Sequence, residues 1–426
     1  MIIYHAQHRS SFSEKQFILG RREKTGSGVL NIGKYYALDG SLGAPVYLDA
    51  LHPHMIFICG KRGYGKSYTI GVFLEEIANL TDDIKQNLAI IVLDTLGIYW
   101  TTQFPATEYS EKILQWGRKP FGFPIRLFVP LHALEHYSKH DIVVERFSLS
   151  VAELSPAHWC QLFKVELTDP VGIAITRALL PLQKTTQCFS IREILSSIQQ
   201  DERIEEIVKC AAENFFLMAE SWGIFEAHGL SIRDVVQPGT LTILDLSALQ
   251  TPILKDVIVA LLSQKIFEER VRSRKIFEQK KIGFTIKEKG IPLVWLAIDE
   301  AQVFLPGEKK TLSKEVLIEE WMRQGRQPGL SLVMATQRPS AVESEVFSHC
   351  DIIICHRLTA QEDIDALRLI RPTYMYGEIG ESIKKMGSEK GVALLVDDTS
   401  ESVHVIQIRP RMSRHGGAEP VIKGGD

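Results

Sequence analysis

Near-continuous apolar runs punctuate the chain. "MIFIC" (55–59), "LAIIVLD" (88–94), "LVWLAI" (293–298), "LSLVMAT" (330–336) and "DIIIC" (351–355) carry few polar side chains. A strand with one wet face alternates, whereas strands like these are buried on both faces. They predict a mostly parallel sheet with helices over each side. "IRLFVP" (125–130), "VERFSLS" (144–150) and "TLTILDLS" (240–247) are further strand candidates. "GVALLVDD" (391–398) and "SVHVIQIR" (402–409) read as a closing antiparallel hairpin. Between about Ser155 and Leu230 the period becomes helical. Ser190 and Glu193 form a capping box, and Ile191, Ile194, Leu195 and Ile198 follow at helical spacing. Ile204, Ile207, Val208, Ala211, Phe215 and Met218 continue as a second amphipathic stripe, read as core of an inserted helical bundle. A long helix begins near Ile253.

The organisation expected is an α/β protein. A short β element over 1–50 ("QFILG", "GVLNIG", "PVYLDA") precedes a core in two parts, 51–150 and 236–410. A helical insertion over 151–235 separates the parts, and a polar tail covers 411–426. Composition adds bounds rather than a function. With 45% apolar and 24% charged residues the chain resembles an ordinary soluble globular protein. Its formal charge of −3 gives no global sign of nucleic-acid binding, so any such site must be a local basic patch. The densest basic run is Arg270, Arg272, Arg274, Lys275, Lys280 and Lys281; it reads equally as a pore lining or a solvated helix end. Cys59, Cys160, Cys188, Cys210, Cys350 and Cys355 form no C-x-x-C pair and read as reduced thiols of a cytoplasmic protein. "MIIYHAQHRSS" is no secretory leader, and no apolar run is long enough to span a membrane.

The chemistry concentrates in one loop. Gly60-Lys61-Arg62-Gly63-Tyr64-Gly65-Lys66-Ser67, followed by Tyr68, fits G-x-x-x-x-G-K-[ST] without mismatch. Glycines let successive N–H groups turn toward phosphate oxygens, and the helix beginning at the loop's end favours anions. Lys66 would supply a charge for the β- and γ-phosphates of a nucleotide, and the Ser67 hydroxyl a ligand for Mg²⁺. Glycines at 60, 63 and 65 do not make a dinucleotide fingerprint. Hydrolysis also needs a metal-holding acid and a base for water. Asp299 and Glu300, at the tip of "LVWLAIDE", suit those roles. Gln337, ending the next strand, is placed to contact the γ-phosphate or its water. Arg323 and Arg326 precede that strand, and spacing alone makes them a solvated basic face.

"GKRGYGKSYT", "AIDEAQVFLP", "RQGRQPGLSLVMATQRPS" and "RPRMSRHGG", in this order, resemble the HerA family within the HerA/FtsK group of ATPases. The resemblance implies a RecA-like fold, a hexameric homo-oligomer, translocation of double-stranded DNA, and a nuclease or other effector enzyme as partner in DNA-end processing or anti-phage defence. By matching motif positions it makes Lys66 and Ser67 the Walker A pair, Asp299 and Glu300 the Walker B pair, Gln337 the sensor and Arg326 the arginine donated to a neighbour's ATP. A secretion or conjugation ATPase has similar motifs, and a ring that gates an effector without moving DNA is a third possibility. Two departures stand out. The N-terminal β element is shorter than the family's barrel, and Ile98 occupies the acidic position after Asp94-x-x-Gly97.

Overall fold

The computed structural model describes residues 18–22, 26–37, 39–139, 142–368 and 389–417. The leaderless reading of residues 1–11 and the end of the tail, 418–426, fall outside them. The strands are β1 (Ile18–Leu19), β2 (Val29–Tyr36), β3 (Leu42–Asp49), β4 (Met55–Cys59), β5 (Leu88–Asp94), β6 (Ile125–Val129), β7 (Glu145–Arg146), β8 (Leu149–Ser150), β9 (Phe225–Glu226), β10 (Leu241–Asp245), β11 (Leu293–Ile298), β12 (Leu330–Thr336), β13 (Ile352–His356), β14 (Val392–Asp397) and β15 (Ser402–Ile408). All but β8 and β9 join one sheet in the order β1-β3-β2-β15-β14-β13-β4-β12-β11-β5-β10-β6-β7. From β13 to β7 every pairing is parallel. The expected hairpin, β14–β15, is antiparallel and carries the sheet on to β2. The N-terminal strands therefore extend the central sheet.

Burial explains the unbroken apolar runs. Phe57, Ile91, Leu296 and Met334 face one core, and Ile56, Ile58, Ile90, Val92, Ala297 and Val333 face the other. Helix α1 (Lys66–Ala78) covers the second face with Ile70, Phe73, Leu74 and Ile77. The apolar core on the first face continues into α2 (Pro156–Phe163), from α2 into α3 (Pro170–Thr185), α4 (Ile191–Gln200) and α5 (Glu206–Ser221), and into α6 (Pro252–Lys281), which packs against α2. Strands buried on both sides need apolar residues at every position. Among the described residues no helix is long and apolar enough to cross a membrane. All six cysteines are free; Cys210 is exposed, and four are buried.

Two elements differ from expectation. The capping box of α4 is present, with the Ser190 N–H donating to Glu193 Oε2 at 2.7 Å, but the stripe on α5 is turned. Its fully buried side is Ala212, Phe216 and Ala219; Ile204 and Phe215 of the expected stripe pack half-buried against the same core, while Ile207 is 76% and Met218 40% exposed. The basic run on α6 is not one surface. Arg270 is buried and donates to Pro328 O and Ile291 O. Arg272 pairs with Glu269 and Glu288, and Arg274 with Glu278.

The segment after β15 is bound to α1 through one carboxylate. Glu75 has no exposed side-chain surface. Its Oε2 accepts from Arg409 Nη1 at 2.8 Å and Met412 N at 3.0 Å. Its Oε1 accepts from Ser413 N at 2.9 Å, Ser413 Oγ at 2.6 Å and Arg411 Nε at 3.4 Å. Burial would raise the Glu75 pKa, but the two guanidiniums and these donors outweigh it and hold it below the usual carboxylate range. Gly71 makes the approach feasible, because a Cβ there would lie 2.3 Å from Arg411 Nη1. Glu75→Gln keeps the shape and removes the charge facing two buried guanidiniums. It is expected to cost about 3–5 kcal/mol, the range for breaking one partner of a buried ion pair. Chemical denaturation measures this, and an unchanged midpoint would show that the contacts contribute nothing net. The carboxylate's share of stability is present above the pKa of an unfolded glutamate and is lost as pH falls through its lower folded value.

Candidate active site

The loop between β4 and α1 turns on glycines with positive φ: 152° at Gly60, 80° at Gly63 and 116° at Gly65. Gly60 is required by space as well as by conformation, since a Cβ would lie 2.6 Å from His356 Cβ. His356, at the end of β13, backs the loop. It is fully buried, with Nε2 2.8 Å from Thr69 Oγ1 and Nδ1 3.2 Å from Val392 O. Burial, with the charge of Lys66 adding to it, pushes its pKa down to about 4, so the ring is neutral at pH 7. Lys61 N donates to Arg357 O at 2.8 Å, tying the loop to β13 again. The loop is held from behind while its front is open. Lys61 and Arg62 are exposed there, beside a cleft also lined by Gln337, Arg338, Thr359 and Asp363.

Lys66 is buried, and its Nζ donates to Lys61 O at 3.3 Å. Burial lowers its pKa, and the charges of Asp299 and Glu300 oppose that shift. A backbone carbonyl is a weak partner for a buried ammonium, and phosphate oxygens are a better one. Tyr64 lies against Arg357, with Cζ 5.5 Å from the ring centre. Tyr68 turns toward the C-terminal segment, where its hydroxyl accepts from Arg411 N at 2.6 Å.

Because β4, β12, β11 and β5 run parallel, the loop, Gln337, the acid pair and Asp94 lie at one edge of the sheet. Ligand sites in α/β sheets form at that carboxyl edge. Asp299 is almost fully buried; the Tyr99 hydroxyl donates to its Oδ2 at 2.9 Å, and Ser67 lies beside it. Burial raises its pKa against the pull of those donors. Two hard oxygen ligands side by side, next to a phosphate-shaped loop, fit the small cation that accompanies triphosphates. Glu300 has φ 56°, a left-handed conformation sterically costly for a residue with a Cβ. Its carboxylate is held by two amides, Gln302 Nε2 on Oε2 at 2.5 Å and Gln337 Nε2 on Oε1. Gln302 Oε1 in turn accepts from Thr336 Oγ1 at 2.6 Å.

Lys66, Ser67, Asp299, Glu300 and Gln337 thus come together. Arg326 does not. It is exposed on the turn before β12, at the opposite end of that strand from Gln337. Asp94 lies beside the site but points into its own turn, where Leu96 N, Gly97 N and Tyr99 N donate to its carboxylate. Burial and the neighbouring Asp245 push its pKa up to about 7. Gln302, Tyr99, Thr336 and His356 were not singled out by sequence. Gln302, in "DEAQ" two residues beyond Glu300, is the one with a usable signal.

Residues 30–266 match the family described as helicase HerA, central domain. The chain is 23% identical over 401 residues to the DNA double-strand break repair helicase HerA of Pyrococcus furiosus, covering 87% of this chain and 67% of that one. Among solved structures, VirB4 of Thermoanaerobacter pseudethanolicus superposes with a TM-score of 0.53 at 14% identity, covering 90% of this chain and 97% of VirB4.

Proposed function

The chain belongs to the helicase HerA central-domain family of RecA-like P-loop ATPases, and on that premise we propose that it is an ATP-driven motor that moves double-stranded DNA as a ring of six. A nuclease or other effector enzyme would act on the DNA it delivers. The observation that carries this reading is the meeting of Lys66, Ser67, Asp299, Glu300 and Gln337 at one sheet edge.

The residues divide the work by position. N–H groups of the Gly60–Gly65 turn receive the phosphates, and Lys66 exchanges its carbonyl partner for their oxygens. Ser67 and Asp299 would hold Mg²⁺, which when bound neutralises charge on the β- and γ-phosphate oxygens. Glu300 takes the proton of the attacking water. Both of its oxygens are already oriented by amides, and each retains a lone pair for that water. Gln337 touches Glu300 directly, so a shift of its amide toward a γ-phosphate would alter the base's position. That gives the pair a means to report which nucleotide is bound.

Hydrolysis and mass, measured together with and without duplex DNA, test the proposal. Duplex DNA is expected to raise ATP turnover severalfold, and ATP with DNA to give a mass of six chains. Turnover indifferent to DNA would favour a ring that gates an effector.

A further inference from the structure

We propose that Tyr99 is a positioning residue for the reaction at this site: its phenol fixes the Asp299 carboxylate in the orientation needed to hold the nucleotide's divalent cation. The inference rests on the ATPase reading above and extends it to a residue outside the phosphate loop and the acid pair.

The geometry is specific. Tyr99 Oη donates to Asp299 Oδ2 at 2.9 Å, while Glu300 N donates to Oδ1 at 2.9 Å. Each oxygen of Asp299 therefore accepts a hydrogen bond, and these two donors come from different elements. A carboxylate on a strand tip can otherwise rotate about its terminal torsion, which is broad for aspartate. Two donors on opposite oxygens remove that freedom before any cation arrives.

Tyr99 is itself held on several sides. The residue is completely buried, and its N–H donates to Asp94 Oδ2 at 2.8 Å. The other Asp94 oxygen closes the same turn through Leu96 N and Gly97 N. The turn is also secured from the C-terminal side. Thr101 Oγ1 donates to Arg414 O at 3.0 Å, and Arg411 Nη2 donates to Thr102 Oγ1 at 3.0 Å. Arg411 belongs to the segment that Glu75 binds to α1. One continuous set of contacts thus connects the helix behind the phosphate loop to the acid in front of it. Phosphate and cation sites must keep a fixed separation for both to engage one triphosphate. This bracket, with Tyr99 as its last member, sets that separation.

Tyr99→Phe retains the ring and removes one hydroxyl. Binding of a fluorescent non-hydrolysable ATP analogue is measured as Mg²⁺ is varied. The Mg²⁺ concentration for half-maximal tightening is expected to rise roughly tenfold, the scale of one hydrogen bond to a charged group. Affinity without Mg²⁺ should be unchanged. Tyr137→Phe is the control, since that hydroxyl also donates to a buried carboxylate, Asp245, but does not touch Asp299. It should lower stability without moving the Mg²⁺ midpoint. Asp94→Asn, which loosens the anchor on the Tyr99 N–H, should shift the midpoint in the same direction and by less, and it carries the test if Tyr99→Phe does not fold. A native midpoint in the folded Tyr99→Phe protein overturns the proposal, as does an equal shift in Tyr137→Phe. If the unaltered chain binds the analogue with no Mg²⁺ dependence, it is the ATPase reading of the acid pair that fails.

Discussion

Glu300→Gln is expected to bind ATP as the unaltered chain does and to hydrolyse it about 10²–10⁴-fold more slowly, the contribution of a positioned general base. The substitution is nearly isosteric, so the strained backbone at φ 56° and the strand tip are retained. What changes is proton affinity, because an amide oxygen does not take a proton from water near neutral pH. The replacement also meets two amide donors. Gln302 is committed by its contact with Thr336, so Gln337 is the side chain that must turn over to match the new NH₂. Lys66→Ala separates the roles. It removes the charge meeting the β- and γ-phosphates and should weaken triphosphate binding itself. Nucleotide titration and phosphate release on the two variants distinguish a binding defect from a chemical one. Normal turnover in Glu300→Gln would remove Glu300 as the base.

What the sequence made legible follows from the range of the interactions involved. The strands Met55–Cys59 and Leu88–Asp94 could be placed because burial on both faces leaves a local mark at every residue. The phosphate loop was legible because its chemistry lies in consecutive residues. Helix α5 was misread for a physical reason. Its buried side is built mainly from alanines around Phe216, so the larger exposed Ile207 and Met218 dominated the pattern. Arg270 was misread because the carbonyls it serves, at Pro328 and Ile291, become neighbours only in the fold. Tyr99 and Asp299 are 200 residues apart, and no spacing rule reaches that far. The sheet order has the same character: β12 lies between β4 and β11, an arrangement set by long-range pairing.

Arg326→Ala is expected to bind ATP and to assemble, yet to lose about 10³–10⁵ in hydrolysis, the range for arginines supplied to phosphoryl transfer. The reason is where the fold places this side chain. β12 separates Arg326 from Gln337, and at ~3.3 Å per residue the strand spans roughly 20 Å. Arg326 cannot reach the phosphates of its own chain. It is instead presented outward, exposed and without a hydrogen-bond partner among the described residues, on a turn built to be rigid. Leu330 N donates to Gly325 O at 2.9 Å, Gly329 N to the same oxygen at 3.1 Å, and the buried Arg270 clamps Pro328 O from beneath. Such a turn fixes the backbone from which the guanidinium is presented, as an arginine serving a neighbouring subunit requires, and the side chain is left to be ordered by the phosphates it meets. Charge developing on the departing γ-phosphoryl group would then be stabilised only across an interface, making hydrolysis conditional on assembly. Mixing supplies the decisive comparison. Lys66→Ala and Arg326→Ala should each be inactive alone. Co-assembled rings contain some interfaces with an intact Lys66 facing an intact Arg326, so part of the activity should return. Mixed rings with no recovery, or monomers hydrolysing at the full rate, would place the missing charge within a single chain.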